Sequence, residues 1–166
     1  MKRLILIEGS MGVGKTTVCN QLKLQLKKSV FLDGDWCWDM HHFVVNEETK
    51  AMVVENICFL LNQFIHCSSI ENIIFCWVMH ERAIVDELCS RLDLVDVEVI
   101  HCLLICDEKS LLEHLNRDIA SGIRKADVIE KSLERLKAFE KMGGNKIDVS
   151  NKGIEDVVSE ILVLLQ

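Results

Sequence analysis

The residues best suited to do chemistry follow an apolar run near the start of the chain. Gly9, four further residues, Gly14, Lys15 and Thr16 fit the phosphate-binding loop pattern G-x-x-x-x-G-K-[ST]. Glycines allow the turns that point backbone N–H groups at an anion, and a helix starting at Lys15 adds its own free N–H groups. Lys15 then supplies a charge for the β and γ phosphates, while the Thr16 hydroxyl is placed to bind Mg²⁺. The predicted nucleotide-binding residues of this loop are Gly9, Ser10, Met11, Gly12, Val13, Gly14, Lys15, Thr16 and Thr17.

A second polar group, Asp33-Gly34-Asp35, follows the second predicted strand. Phosphoryl transfer needs Mg²⁺ to neutralise developing charge, and it needs an oriented acceptor hydroxyl. Carboxylate oxygens suit Mg²⁺, so one aspartate could hold a metal-bound water while the other accepts the proton of the hydroxyl. The third predicted strand, residues 72–78, has no acidic residue at its end. The required carboxylates are therefore expected at Asp33 and Asp35, with Glu81 in reserve.

The elements that must position these residues alternate along the whole chain. The predicted strands cover residues 3–8, 29–32, 72–78, 97–105 and 146–149, and the predicted helices cover 15–28, 47–67, 81–92, 108–120, 127–141 and 154–165. Near-continuous apolar strands separated by helices predict a parallel sheet that is covered on both faces. Ligands are then expected where the strands end, which includes the loops 9–16 and 33–46.

The composition is typical of one globular domain spanning residues 1–166. Hydrophobic residues make up 49% and charged residues 27%, and no apolar run reaches the ~18 residues of a membrane span. The net charge of −7, without a basic cluster, argues against nucleic acid and against a membrane as partner. The eight cysteines include no C-x-x-C pair, which predicts reduced, buried thiols in a cytoplasmic protein. The oligomeric state stays open.

The first strand, the loop GSMGVGKTT, the helix and the turn FLDGDW together resemble the small-molecule kinases of the P-loop superfamily. Gluconate kinase, shikimate kinase, adenylylsulfate kinase and chloramphenicol phosphotransferase are members with a similar layout. The resemblance covers the chain in element order and is specific in residues 4–17 and 31–36. It implies an α/β fold of three layers (α/β/α), a P-loop NTPase sheet of five parallel strands in the order 2-3-1-4-5, and ATP and Mg²⁺ as cofactors. It also implies that Asp35 contacts the acceptor hydroxyl and that Asp33, with Thr16, serves the metal.

The charged segment 107–142 is similar to the short mobile lid of that family. Arg117 and Arg124 could close onto the ATP phosphates, because the planar guanidinium group matches phosphate oxygens. The run that ends at Asn151 resembles the family's loop beside adenine. The candidate catalytic residues are thus Lys15, Asp35, Arg117 and Arg124.

Aromatic residues gather around the expected acceptor site. Trp36 and Trp77 both lie at strand ends in a chain with only 5% aromatic residues, which favours a flat or apolar acceptor stacked between rings. Packing of either tryptophan beneath the loop is an equal alternative. Arg82 could bind an acidic or hydroxyl-rich acceptor. The predicted acceptor-binding residues are Asp35, Trp36, Trp77 and Arg82.

The sequence therefore predicts an ATP-dependent kinase that phosphorylates a hydroxyl of a small metabolite, nucleoside or antibiotic. One alternative is a nucleic-acid end kinase, which the acidic composition disfavours; the other is a nucleotide-binding switch with little transfer activity. The run Asn145-Lys146-Ile147-Asp148 matches the guanine-reading N-K-x-D pattern of GTPases, but the residues before it are not an apolar strand and the chain has no D-x-x-G. ATP is thus expected to be preferred over GTP.

Overall fold

Strands and helices alternate along the chain in the computed structural model, which describes all 166 residues. The strands are β1 (Lys2–Gly9), β2 (Ser29–Asp33), β3 (Asn72–Trp77), β4 (Val97–Ile105) and β5 (Asn145–Asp148). The helices are α1 (Lys15–Gln25), α2 (Glu47–His66), α3 (Arg82–Ser90), α4 (Glu108–Ala120), α5 (Val128–Lys141) and α6 (Ile154–Leu164). A short 3-10 helix, Gly34–Trp38, follows β2 directly.

The sheet is entirely parallel, in the order β2-β3-β1-β4-β5. The central strand β1 pairs with β3 on one side and with β4 on the other. Glu8 aligns with Trp77 of β3, and Gly9 aligns with Leu104 of β4, so the three strands end at one edge of the sheet. The predicted five-stranded sheet and its strand order are confirmed.

Helices cover both faces of this sheet because its inner strands are apolar on both faces. Ile5 and Ile7 of β1 pack in one buried cluster with α1, α4, α5 and α6. Leu4 and Leu6 of the same strand pack in a second cluster with α2 and α3. Burial on both sides is what a parallel α/β sheet requires, and the predicted three-layer arrangement is confirmed.

Local interactions shift one predicted boundary and add one element that was not predicted. The helix predicted over residues 15–28 ends at Gln25, because Leu26 is extended (φ −95°, ψ 132°) and Lys28 turns the chain toward β2 with a φ of 48°. The 3-10 helix after β2 was not predicted. Its first turn is closed by the Asp33 side chain, which accepts a hydrogen bond from the Asp35 backbone N–H at 3.1 Å.

The cysteines are all unpaired in this fold, but the predicted burial holds for only five of the eight: Cys67 is exposed, and Cys37 and Cys89 are half-buried. Cys19, Cys76 and Cys102 are completely buried, so they act as small apolar side chains of the core. None of the helices has the length and apolar character that crossing a membrane requires.

Candidate active site

The loop Gly9–Thr17 joins the end of β1 to the start of α1 and forms the floor of a cleft. Gly12 and Gly14 have φ angles of 82° and 97°, a region that side chains with a Cβ rarely occupy. A Cβ at Gly12 would lie 2.6 Å from Leu115 Cδ2, because the loop packs against α4. Both glycines are therefore needed for the curve that aims backbone N–H groups at an anion.

The Lys15 side chain lies under this loop. Its Nζ donates to the carbonyl oxygens of Gly9 and Ser10, each at 2.9 Å. Burial lowers the pKa of Lys15, and the nearby acidic side chains, including Asp35 and Asp33, oppose that shift. No salt bridge to a carboxylate neutralises this ammonium group. Its surroundings thus favour an anionic ligand, and a phosphate group fits that requirement.

Thr16 and Asp33 place oxygen ligands side by side at the start of α1. Thr16 Oγ1 donates to Asp33 Oδ2 at 2.6 Å, and Asp33 is 6% exposed. A threonine hydroxyl and a carboxylate are the hard oxygen donors that Mg²⁺ prefers. The donor set fits a magnesium ion, with Thr16 and Asp33 as the residues that would hold it or its bound waters.

Asp35 lies one residue beyond Gly34 and lines the same cleft as Lys15. Burial raises the pKa of Asp35, and the adjacent Asp33 carboxylate raises it further. Lys15, the facing Trp77 indole and Arg124 partly offset that rise in pKa. A carboxylate with a raised pKa, close to a lysine and open to the cleft, is suited to accept a hydrogen bond or a proton from a hydroxyl.

The two predicted acceptor tryptophans take different positions. Trp77 lines the cleft and packs directly on Gly34, where an added Cβ would lie 2.6 Å from its Cγ. Trp36 is 55% exposed and packs edge-on against Phe31, with the ring centroids 5.1 Å apart, outside the residues that line the cleft. Trp77 is thus placed beside the reacting groups, and Trp36 lies farther out on the surface.

Both predicted lid arginines line the cleft. Arg124 Nε donates to Asp118 Oδ2 at 2.9 Å, and Arg117 Nε donates to the Glu113 carbonyl oxygen at 3.4 Å. Arg124 lines the cleft together with Lys15 and Asp35, and its positive charge lowers the pKa of both side chains. The segment predicted as a lid, 107–142, contains α4 and α5.

Five residues predicted for the site do not line the cleft: Gly9, Ser10, Trp36, Asn151 and Arg82. Ser10 is buried, and its hydroxyl donates to the Ser132 carbonyl oxygen at 2.6 Å. Asn151 is exposed, with a φ of 56°, although its neighbours Val149 and Lys152 line the cleft. Arg82 pairs with Asp86 on the surface of α3 at 3.2 Å and lines a separate depression. The prediction that Arg82 binds an acceptor therefore has no geometric support.

The structure adds three polar residues to the cleft lining that the sequence analysis did not select: His114, Asp118 and Lys152. His114 Nδ1 lies 3.1 Å from the Gly12 carbonyl oxygen and so connects α4 to the phosphate loop. His114 lies three residues before the predicted lid arginine Arg117 and four residues before Asp118 on α4, so helical spacing was an available signal for His114. Lys152 pairs with Glu160 at 2.6 Å and lies between β5 and α6.

The guanine-like run Asn145–Asp148 forms β5 itself. Asn145 Nδ2 donates to the His101 carbonyl oxygen at 2.9 Å, and Asn145 lines the separate depression rather than the cleft. Its amide is thus occupied within the sheet. This position gives no support to guanine recognition.

Comparison with known proteins agrees with this geometry. The AAA domain family matches residues 5–137. No curated protein shows significant sequence similarity to the chain. The chain is similar in structure to a gluconokinase from Sinorhizobium meliloti 1021, with a TM-score of 0.70 and 17% identity over 96% of this chain and 89% of that one.

Two further solved structures share the fold. The tunicamycin resistance protein of Deinococcus radiodurans has a TM-score of 0.68 and 21% identity, over 99% of this chain and 96% of that one. Shikimate kinase from Acinetobacter baumannii, solved with shikimate, has a TM-score of 0.66 and 19% identity, over 99% and 93%. The chain belongs to the AAA domain family, and its predicted resemblance in fold to the P-loop small-molecule kinases is confirmed.

Proposed function

We propose that this protein is an ATP-dependent phosphotransferase that moves the γ-phosphate of ATP to a hydroxyl group of a small molecule. The observation that carries the proposal is the position of Asp35. This carboxylate has a raised pKa and lines one cleft together with Lys15, Thr16 and Arg124. A loop that only bound nucleotide would not need such a carboxylate beside its lysine and its magnesium ligands.

In the proposed reaction, each residue has a positioning or electrostatic role. The loop N–H groups and Lys15 hold the phosphates, and Thr16 and Asp33 hold Mg²⁺, which when bound neutralises charge on the transferring phosphoryl group. Asp35 orients the acceptor hydroxyl and takes its proton. Arg124 places a further positive charge over the phosphates, while α4 and α5 shield the cleft from water.

The structural neighbours support the general reaction without naming the acceptor. Gluconokinase and shikimate kinase are kinases of small hydroxylated compounds by their names, and the tunicamycin resistance protein is named for a drug. We also propose a cytoplasmic location, because ATP and unpaired thiols are both typical of that compartment.

The experiment that tests the proposal is an ADP-release screen with Mg²⁺ and a broad panel of hydroxyl compounds. The panel holds nucleosides, sugars, sugar acids, and aminoglycoside and phenicol antibiotics. We expect at least one compound to raise ADP release above the rate with ATP alone, and the Asp35→Asn variant to lose that increase. Equal ADP release with and without every compound contradicts the proposal.

A further inference from the structure

We infer that the acceptor is a ring-bearing hydroxyl compound that is uncharged or carries an amine, and that carries neither a carboxylate nor a phosphate. This inference rests on the proposed function, since it concerns the molecule that Asp35 addresses. Two independent observations carry it: a row of aromatic rings that leads away from Asp35, and the distribution of charge around that row.

The aromatic row consists of Trp77, Trp38 and Phe43. Trp77 faces Asp35, and the Trp38 ring lies 6.4 Å from the Trp77 ring between centroids. Phe43 continues the row at 5.4 Å from Trp38 and is 64% exposed. Rings at these separations form one apolar surface, which begins at the proposed acceptor carboxylate and ends at solvent.

The row is held in place by the chain around it. Trp38 Nε1 donates to the Val44 carbonyl oxygen at 3.3 Å, and Thr49 Oγ1 donates to the same oxygen at 3.0 Å. Thr49 also caps α2 together with Asn46. The loop that carries Phe43 is thus fixed to the start of α2. The rings are tilted by 58° and 46° against their neighbours, so the row is a preformed, stepped apolar surface on which a ligand ring can pack against one ring at a time.

The charge on this side of the cleft is acidic. Residues 29–49 contain no lysine or arginine, but they contain carboxylates at Asp33, Asp35, Asp39, Glu47 and Glu48. The loop between β3 and α3 adds Glu81 and no lysine or arginine, and its one histidine, His80, lies 3.7 Å from Glu81. A carboxylate or phosphate on an acceptor seated at the aromatic row would therefore meet carboxylates but no lysine or arginine of these segments, which is unfavourable at short range.

The cations that line the cleft belong to the phosphate loop, the segment predicted as a lid and the turn after β5. Lys15 is bound to the loop carbonyls, Arg124 is paired with Asp118, and Lys152 is paired with Glu160. Arg117 belongs to α4 on the lid side. Arg82, the nearest cation in sequence to β3, pairs with Asp86 outside the cleft. None of them belongs to the segments that carry the aromatic row.

Intrinsic fluorescence tests this inference, because the chain has three tryptophans and all of them lie at or beside the aromatic row. The protein is first saturated with ADP and Mg²⁺, so that later changes report the acceptor side. It is then titrated with two matched pairs, uridine with uridine monophosphate and phenylalaninol with phenyllactate. Alaninol, which has the amine and the hydroxyl without the ring, is the fifth ligand.

We expect uridine and phenylalaninol to bind at least about tenfold more tightly than their acidic partners, and phenylalaninol to bind more tightly than alaninol. The Phe43→Leu variant should weaken binding of the ring compounds about tenfold, by loss of ring stacking. Phe59→Leu is the matched control: Phe59 is 63% exposed on α2, outside the row, and its replacement should leave binding unchanged.

The inference is overturned if the acidic partners bind as well as the others, if neither uridine nor phenylalaninol binds, or if Phe43→Leu and Phe59→Leu behave alike. ADP release with the same ligands is read separately. Preferential binding without ADP release supports the acceptor class while it contradicts the proposed reaction. ADP release that favours the acidic partners overturns the acceptor class and leaves the phosphotransferase proposal intact.

Discussion

Asp33 connects two parts of the site through its two carboxylate oxygens. One oxygen accepts from the Thr16 hydroxyl at 2.6 Å, and the other accepts from the Asp35 backbone N–H at 3.1 Å. The residue therefore lies between the proposed metal ligand and the proposed acceptor residue. Asp35 has no such anchoring role, because its side chain lines the open cleft.

Asparagine substitutions at the two positions should differ in kind. Asp35→Asn should reduce the rate of phosphoryl transfer by about 10²–10⁴-fold, because the loss of a general base has an effect of that size. The lower end of this range applies if the transition state is loose, and ATP binding should stay nearly intact. Asp33→Asn should instead raise the Mg²⁺ concentration for half-maximal activity, because the carboxamide keeps the shape but not the charge. The measurement is a Mg²⁺ titration of turnover. If both variants behave like the wild type, neither aspartate has the proposed role. If the two phenotypes are exchanged, Asp33 serves the acceptor and Asp35 serves the metal.

The raised pKa of Asp35 predicts a pH dependence. Transfer requires the ionised carboxylate, so activity should fall on acidification, at a pH above that expected for an ordinary aspartate. Asp33→Asn removes a negative charge that raises the pKa of Asp35, so the midpoint should move to lower pH. Lys15→Ala removes a positive charge that lowers the same pKa, so the midpoint should move to higher pH.

Carbon-13 NMR of the Asp35 carboxyl group, recorded on the free protein, measures these midpoints without the complication of lost activity. A wild-type midpoint at the ordinary value of aspartate, or a midpoint that does not move in Asp33→Asn, would show that the proposed electrostatic coupling is wrong.

At the scale of elements, the turn between α4 and α5 holds Arg124 in a defined orientation. The Asp118 carbonyl oxygen accepts from the backbone N–H groups of Ile123 at 2.9 Å and Arg124 at 3.3 Å. The Asp118 side chain accepts from Arg124 Nε, which leaves the two terminal nitrogens of the guanidinium group for a phosphate. Asp118 is therefore a positioning residue for Arg124.

Asp118→Asn should lower turnover about fivefold with little change in the unfolding temperature, because the backbone bonds remain while the charged contact is weakened. The matched control is Asp86→Asn, which weakens the similar pair of Arg82 and Asp86 outside the cleft. Steady-state kinetics and thermal unfolding of both variants give the comparison. Equal losses in the two variants would mean that Asp118 has no special relation to the site.

The sequence predicted the elements well wherever burial determined them. The continuous apolar runs of β1 and β3 predict buried strands, and the spacing of the glycines predicts the phosphate-binding loop after β1. The 3-10 helix after β2 could not be predicted from the sequence, because it depends on a single hydrogen bond from the Asp35 backbone N–H to the Asp33 side chain. Local hydrogen bonds of this kind leave no periodic signal.

At the scale of the whole molecule, strand order brought together residues far apart in sequence. Lys15, Asp35 and Arg124 line one cleft because β1, β2 and the lid meet at the same edge of the sheet. The positions of Arg82 and Asn151 were predicted less well. The spacing of Arg82 and Asp86 already indicated a helical ion pair, whereas the outward turn at Asn151 depends on its φ of 56°.

Nucleotide choice also depends on the whole sheet. Asn145 lies in β5, with its side-chain amide donating to the His101 carbonyl oxygen, so reading guanine would require that hydrogen bond to break. ATP should therefore bind more tightly than GTP. Calorimetric titration with each nucleotide and Mg²⁺ measures the difference. A clear preference for GTP would contradict this prediction and would mean that the run Asn145–Asp148 does recognise guanine.

The central claim, transfer of a phosphate from this loop to a hydroxyl, is tested most directly by phosphorus-31 NMR. The reaction contains ATP, Mg²⁺ and the best acceptor from the screen, with wild-type protein or Lys15→Ala. In the wild type, a new phosphomonoester signal should grow in step with ADP. In Lys15→Ala, its rate should be at least about tenfold lower, since the charge on the β and γ phosphates is lost. Inorganic phosphate as the sole product, or equal rates in the two proteins, would contradict the claim.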